Sequence, residues 1–200
     1  MNRPAILIDI GGVLVPDHLA AAATEWSTRL GISPHAFLAA LFGGNDDQVL
    51  IGRTSEESWW SIVRNRLGID PDLINAIRSD LTSRETWDDV LVAALRSLRG
   101  SAKTAIVSNT WPQMRTRMAN AGLLDMVDAI VLSCEVGYAK PDPRIYAAAL
   151  QRVGARPAVT LFIDDTPGHV TTARSLGMTG HVHTSTRDTL GRIQEFLQSY

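Results

Sequence analysis

Four short apolar segments that each end in a small polar or acidic residue constrain this sequence more than any other feature. They are residues 5–8 before Asp9, 104–107 before Ser108, 129–132 before Ser133, and 159–163 before Asp164. The segments are rich in isoleucine and valine and do not alternate with polar residues, which is typical of strands buried on both faces of a parallel sheet. Residues 180–183 are a weaker fifth candidate. The sequence therefore predicts a sheet of five parallel strands.

Helical patterns separate these strands in the C-terminal part of the chain. Residues 87–98 and 170–176 carry apolar side chains at helical spacing, and each segment ends close to a glycine. Asp142 and Pro143 fit the N-cap and the first position of a third helix. Because strands and helices alternate here, we expect an α/β fold with a doubly wound parallel sheet.

Residues 14–87 interrupt this alternation and contain no convincing strand. Glycine, proline and asparagine cluster at three expected helix breaks, near residues 31–34, 43–45 and 68–71. We therefore predict a helical insertion after the first strand, over residues 14–87, and an α/β core domain made of residues 1–13 and 88–200. We expect three of the insertion's tryptophans to form its own hydrophobic core rather than to stack on a substrate: Trp26, Trp59 and Trp60.

Composition limits the partners and the compartment. With 19 Lys+Arg and 21 Asp+Glu, the net charge is −2, so the basic surface of a duplex-binding protein is missing. The first apolar segment stops at Asp9, too early for a signal peptide, and no stretch approaches the roughly 20 apolar residues of a membrane span. We therefore expect a cytoplasmic protein that binds neither nucleic acid nor membrane. The single Cys134 excludes an internal disulfide and a cysteine-based zinc site.

The polar residues after the apolar segments are candidates for a catalytic site. Ligands bind beyond the carboxyl ends of the strands in an open parallel sheet, so Asp9, Ser108 and the Asp164–Asp165 pair should meet at one edge. One aspartate after a strand is usually a turn or cap residue, but three strands that end this way favour a shared site. Clustered carboxylates need a cation among them, and an all-oxygen set favours Mg²⁺. With Lys140 as a mobile positive charge, the set suits phosphoryl transfer to an aspartate.

These residues occur in four motifs that resemble those of the haloacid dehalogenase superfamily, in the branch with a helical cap after the first strand. The motifs are Asp-Ile-Gly-Gly-Val-Leu at 9–14, Ser-Asn at 108–109, Lys-Pro-Asp-Pro-Arg-Ile-Tyr at 140–146, and Phe-Ile-Asp-Asp-Thr-Pro at 162–167. They appear in the family's order and span nearly the whole chain. The resemblance implies a Rossmann-like core with a cap, and a hydrolase. It implies most directly a phosphatase that acts on a small phosphomonoester, such as a sugar phosphate, through an aspartyl-phosphate intermediate.

The resemblance also implies roles for individual residues. The catalytic residues would be Asp9 as the nucleophile, Ser108 and Lys140. The substrate phosphate would be bound by Gly12, Ser108, Asn109 and Lys140. A Mg²⁺ cofactor would be held by Asp9, the backbone carbonyl of Gly11, Asp164 and Asp165.

Gly11 departs from the usual pattern of the family's phosphatases. Most of them carry a second aspartate two positions after the nucleophile, where it acts as general acid and base, and Gly11 stands at that position here. A branch of sugar-phosphate phosphatases with an Asp-x-Gly first motif shares this substitution. A catalytically weakened, ligand-binding member of the family is therefore an alternative. Asp17 and His18 follow closely, and helix capping explains both residues better than proton transfer.

Two other kinds of protein use similar residues. A metal-independent 2-haloacid dehalogenase also has an aspartate nucleophile, but it usually carries an aromatic residue at the position of Gly11, and it would leave Asp164 and Asp165 uncompensated. A receiver domain of two-component signalling also places acidic residues, a hydroxyl and a lysine on a parallel sheet. In that domain the acidic pair follows the first strand and the lysine comes last, whereas here Lys140 precedes the pair. A phosphatase therefore fits best, with the dehalogenase as the alternative hydrolase.

Overall fold

The computed structural model describes residues 3–43 and 47–200. At its centre lies a five-stranded sheet with the order β3-β2-β1-β4-β5, in which every neighbouring pair is parallel. The strands are Ala5–Ile8 (β1), Lys103–Ser108 (β2), Ala129–Leu132 (β3), Thr160–Asp164 (β4) and Thr179–Val182 (β5). The predicted α/β fold is confirmed, including the weak fifth strand. Since the chain proceeds outward from β1 to β3 and then returns beside β1, the switch point of the sheet lies between β1 and β4.

Helices connect the strands and also form the insertion. Those of the insertion are Leu19–Leu30 (α1), Pro34–Phe42 (α2), Asp47–Leu50 (α3), Glu56–Leu67 (α4) and Pro71–Ser83 (α5). The later ones are Asp89–Ser97 (α6), Met114–Asn120 (α7), Ser133–Val136 (α8), Pro143–Val153 (α9), Pro167–Ser175 (α10) and Thr186–Leu197 (α11). Within the described ranges, no helix is both long enough and apolar enough to span a bilayer.

Alternate residues of β1 belong to two separate hydrophobic cores. Ile6 and Ile8 pack with apolar residues of α6, α7 and α11 on one face of the sheet. Ala5 and Leu7 pack with residues of α9 and α10 on the other face. All four side chains are completely buried. The sequence of β1 therefore does not alternate between apolar and polar residues, because both faces of a central parallel strand are covered.

The insertion has a third hydrophobic cluster of its own. Trp26, Trp59 and Trp60 all belong to it, as predicted. No strand is present in the described residues between 14 and 87, which are 14–43 and 47–87. Leu14, Val15 and Trp87, at the ends of the insertion, pack with the core of the sheet instead. The division into a core of residues 1–13 and 88–200 and a cap of residues 14–87 stays a prediction.

The helices of the insertion end where the sequence places its breaks. Gly31 and Gly68 follow α1 and α4 in the left-handed conformation, with φ of 67° and 65°. Ser33 and Asp70 are the N-caps of α2 and α5. Their side chains accept hydrogen bonds from backbone N–H groups of the first turn. The third predicted break, near residues 43–45, lies partly outside the described residues.

Candidate active site

The carboxyl ends of three strands bring the predicted site residues together. Asp9 directly follows β1, Ser108 is the last residue of β2, and Asp164 is the last residue of β4. Strands β1 and β4 are hydrogen-bonded neighbours, so Asp9 and Asp164 lie side by side at the switch point. With Asp165 they form a cluster in which one carboxylate oxygen of each residue lies within 4.8 Å of the other two. The sequence predicted this meeting point from the strand ends alone.

Lys140 lies between two of these carboxylates. Its Nζ is 2.7 Å from Asp9 Oδ2 and 2.6 Å from Asp164 Oδ2, and the side chain has no exposed surface. Asn109 holds the backbone of Lys140: its Nδ2 donates to the Lys140 carbonyl (2.8 Å), and its Oδ1 accepts from the Lys140 N–H (2.7 Å). The sequence interpretation assigned Asn109 to phosphate binding only. The structure adds that its side chain fixes the loop that carries Lys140.

Asp164 has a further partner that the sequence interpretation missed. His169 Nδ1, in the first turn of α10, lies 3.0 Å from Asp164 Oδ1. The backbone N–H of Thr166 donates to the same oxygen, at 2.8 Å. Since Lys140 contacts the other oxygen, Asp164 is held from both sides and completely buried. In the sequence, the only signal that could have linked the two residues is that His169 follows Asp164 by five positions, at the predicted start of a helix.

The pKa shifts of the three carboxyl groups reflect crowding of negative charge. Burial raises the pKa of Asp9, although the ammonium group of Lys140 opposes this effect. Burial and the nearby charge of Asp164 raise the pKa of Asp165. Burial also disfavours the charged form of Asp164, but hydrogen bonds from His169 and Lys140 outweigh it and lower its pKa. Three carboxyl groups thus share one buried ammonium group, and further positive charge beside them would favour their ionised forms.

The donor set and its geometry fit a divalent cation that prefers oxygen ligands. Asp165 lies directly over Gly12: a Cβ atom at Gly12 would stand 2.0 Å from Asp165 Oδ2, and Gly12 has φ of +71°. Only glycine permits both this conformation and this approach. Gly11 differs, because a Cβ atom there meets nothing within 4 Å and its φ is not positive. The three predicted side-chain ligands are therefore together, and the carbonyl of Gly11 as a ligand stays a prediction.

A cavity of about 270 Å³ lies between the edge of the sheet and the insertion. Gly11, Ser108 and Asn109 contribute to its lining on the sheet side. The remaining walls are mostly apolar and come from both parts of the chain; the aromatic members are Phe42, Trp59, Trp60 and Trp111. Trp59 and Trp60 therefore line the cavity in addition to packing inside the insertion, which was the role that the sequence favoured for them.

Trp111 connects the sheet to the insertion. It follows β2 by three residues, and its ring stacks on Trp59 with a centroid distance of 4.6 Å. A second stacked contact joins Trp111 to Phe42, at 6.1 Å. The wall of the cavity is therefore continuous across the boundary between the two parts of the chain.

Arg117 also connects the two parts, through ion pairs. Its guanidinium lies 3.1 Å from Glu56 in α4 and 2.8 Å from Glu85, which follows α5. Glu56 is 1% exposed and is also paired with Arg78, at 3.3 Å. Both Arg117 and Glu85 line the cavity, and burial raises the pKa of Glu85. The charge of Arg117 is thus already balanced by carboxylates of the protein.

Comparison with known proteins identifies a family. A family model described as haloacid dehalogenase-like hydrolase matches residues 4–177. This match confirms, at the level of the family, the resemblance based on the four motifs. The helical-cap branch stays a prediction.

Curated proteins with similar sequences include bifunctional epoxide hydrolase 2 of Sus scrofa. It is 28% identical over an alignment of 202 positions, which covers 89% of this chain and 36% of that protein. Pyrimidine 5'-nucleotidase YjjG of Escherichia coli is 34% identical over 100 residues, or 49% of this chain and 43% of that protein. The alignments thus cover less than half of the length of these relatives. Among solved structures, a HAD family enzyme of Bacteroides thetaiotaomicron, complexed with magnesium and inorganic phosphate, has a TM-score of 0.71 at 22% identity and covers 92% of this chain and 96% of that one.

Proposed function

The chain belongs to the haloacid dehalogenase-like hydrolases, and from this premise we propose that it is a magnesium-dependent phosphatase of small phosphomonoesters. The observation that carries the proposal is the cluster of Asp9, Asp164 and Asp165 around one buried lysine. The similarity to a pyrimidine 5'-nucleotidase supports a phosphoester substrate, and the magnesium and phosphate of the Bacteroides enzyme support the cofactor. A cytoplasmic location and the absence of nucleic-acid binding stay predictions from composition.

Asp9 is the proposed nucleophile. Its Oδ1 accepts a hydrogen bond of 2.7 Å from the N–H of Ile10, which orients the carboxylate. Attack of the carboxylate on phosphorus forms an aspartyl phosphate while the bond to the leaving oxygen breaks, and the departing alkoxide takes a proton from water. A water molecule then attacks the same phosphorus, which releases inorganic phosphate and restores the Asp9 carboxylate.

Other residues of the site stabilise the charge that develops on the phosphoryl oxygens. Lys140 supplies an ammonium group beside Asp9, and Ser108 supplies a hydroxyl within hydrogen-bonding reach of the same carboxylate. The backbone N–H of Asn109 is a proposed donor to the phosphate. The N–H of Gly12 donates to the carbonyl of Val15 at 2.9 Å, so it would have to exchange this partner to bind the phosphate. Mg²⁺, held by Asp9, Asp164, Asp165 and the Gly11 carbonyl, would add positive charge at the phosphoryl oxygens.

Gly11 lines the cavity at the position where most phosphatases of the family carry an aspartate, and it supplies no carboxylic acid there. Asp17 caps α1, because its Oδ1 accepts from the N–H of Leu19 at 2.9 Å. His18 makes no capping bond with its side chain and lines the cavity instead. Because Gly11 has no side chain that could donate a proton and Asp17 serves the helix, we expect slow release of leaving groups that need a proton.

The decisive test is hydrolysis of p-nitrophenyl phosphate by purified protein. Activity should require Mg²⁺ and disappear in EDTA. Asp9→Asn should lower kcat by at least about 10⁴-fold, because it removes the nucleophile with little change of shape. Asp17→Asn is the matched control, since Asp17 is exposed and lies outside the carboxylate cluster.

Two results would contradict the proposal. Chloride release from a 2-haloacid that persists in EDTA would favour the dehalogenase alternative. Full activity of Asp9→Asn toward p-nitrophenyl phosphate would show that Asp9 is not the nucleophile.

A further inference from the structure

The lining of the cavity points to the chemistry of the leaving group. Resting on the phosphatase proposed above, we propose that the substrate is a monoester of an uncharged alcohol that carries one aromatic ring system, and that this ring occupies the cavity beneath the insertion. The proposal follows from the apolar walls, from the polar groups that the protein itself already uses, and from the size of the space.

The walls away from the phosphate end favour an apolar occupant. Phe42, Trp60 and Trp111 contribute aromatic surface, and aliphatic side chains from α2, α3 and α5 complete the lining: Leu41, Leu50 and Leu81. Aromatic rings pack well against such walls through stacked or edge contacts, and their transfer from water is favourable. An occupant rich in hydroxyl groups gains neither contribution.

Two polar side chains of the lining, those of Asn109 and Arg117, are already used by the protein. Both polar atoms of the Asn109 side chain are bonded to the backbone of Lys140. The guanidinium of Arg117 is bonded to Glu56 and Glu85. Buried hydroxyl groups without partners are unfavourable, and a sugar would bring several of them into this space.

A second anionic group on the substrate is also poorly matched. Among the described residues that line the cavity, no lysine occurs, and the arginine present is paired with two carboxylates. Since Glu85 at the wall is paired with Arg117, this pair offers no net positive charge to a substrate carboxylate or a second phosphate. The leaving group should therefore be neutral.

The volume limits the size of the ring system. At about 270 Å³, the cavity is slightly smaller than the roughly 300–1,000 Å³ usual for small-ligand sites. One ring system suits this space better than an extended molecule. The reacting phosphate would lie outside it, beside Ser108 and Asp9.

The proposal can be tested with esters that differ in the apolar part and not in the kind of leaving oxygen. The substrates are 2-phenylethyl phosphate, ethyl phosphate and glucose 6-phosphate, all esters of primary alcohols. We expect kcat/KM for the phenylethyl ester to exceed that of each of the others by about 10- to 200-fold, the range known for apolar groups in fitted pockets. Equal values, or a preference for glucose 6-phosphate, would overturn the proposal while the phosphatase function stands.

A pair of matched variants locates the effect in the cavity. Phe42 and Ile62 are both apolar residues of the insertion with similar exposure, 43% and 42%. Phe42 lines the cavity, whereas Ile62 is not part of the lining. Phe42→Ala should reduce the phenylethyl-to-ethyl ratio of kcat/KM by about 10-fold, and Ile62→Ala should leave this ratio unchanged. An equal ratio in both variants would show that the ring binds elsewhere.

A binding measurement separates the substrate proposal from catalysis. Because Trp59, Trp60 and Trp111 line the cavity, tryptophan fluorescence should change when 2-phenylethylphosphonate, a non-hydrolysable analogue, binds in the presence of Mg²⁺. Its Kd should be at least about 10-fold lower than that of ethylphosphonate. Tight binding without hydrolysis of any ester would refute the phosphatase function alone, and equal Kd values would refute the leaving-group proposal alone.

Discussion

Replacing Lys140 by methionine should destabilise the protein as well as inactivate it. Lys140 is completely buried and contacts Asp9 and Asp164 at 2.7 and 2.6 Å. Methionine has a similar length and no charge, so Lys140→Met leaves two buried carboxyl groups without their ammonium partner. Loss of one partner from a buried ion pair typically costs about 3–5 kcal/mol, a large share of the roughly 5–15 kcal/mol by which a domain is stable.

Urea unfolding at pH 7.5 in EDTA measures this loss. With a denaturant dependence of roughly 2–3 kcal/mol per molar urea, the midpoint should fall by about 1–2 M. The chain has only one other lysine, Lys103, which is partly exposed at the start of β2, so Lys103→Met is the matched control. A midpoint of Lys140→Met equal to that of Lys103→Met would refute the idea that the buried ammonium compensates the carboxylates.

The dependence on pH provides an independent check of the same idea. The pKa of Asp164 is lowered in the native protein, so its ionisation stabilises the fold above the unfolded pKa of about 3.9, and this contribution is lost as the pH falls through the folded pKa. In Lys140→Met the buried carboxyl groups of Asp9 and Asp164 lose the ammonium between them, so their folded pKa values rise, and stability is gained as the pH falls through these values. The difference from wild type should therefore be largest at pH 7.5 and smaller at pH 5. A difference that grows toward pH 5 would contradict this.

Two glycine substitutions test the neighbouring positions separately. Gly11→Asp should raise kcat for alkyl phosphates by up to about 10²–10⁴-fold, and it should raise kcat for aryl phosphates less. The reason is that the new carboxyl group supplies a proton donor at a position where the backbone is unstrained and a side chain has space. A wild-type kcat that does not depend on the pKa of the leaving group would contradict this. Gly12→Ala should weaken Mg²⁺ binding by about 10–100-fold in calorimetry, because its Cβ displaces Asp165. Gly168→Ala is the control, because a Cβ atom at Gly168 meets nothing within 4 Å. Equal Mg²⁺ affinities of the two variants would contradict the idea that Gly12 leaves the space that Asp165 occupies.

Much of the fold and the centre of the site could be predicted because their signals are local. Each buried strand is a continuous apolar segment, and the residue after it must lie at the carboxyl edge of the sheet. This rule alone placed Asp9, Ser108 and Asp164 together, although long stretches of chain separate them. Helix starts such as Asp142 before Pro143 were equally local, since a cap depends on a few neighbouring residues.

The environment of these residues was decided by contacts that leave no periodic pattern in the sequence. Arg117 binds Glu56 across 61 positions, and Asn109 binds Lys140 across 31. Such pairs depend on how the insertion and the loops pack, and either residue by itself resembles an ordinary surface residue. The sequence could therefore not show that Lys140 is fully buried.

The sequence by itself determined the parallel sheet, its helical insertion and the acidic edge, because burial of strands and the direction of their ends follow from neighbouring residues. Only the tertiary structure distinguished Gly12, which must remain glycine beneath Asp165, from Gly11, which has open space. Only the tertiary structure, too, turned Trp59 and Trp60 toward a shared cavity with Trp111. These features depend on distances between segments far apart in the chain, and those distances are set by packing rather than by local preference.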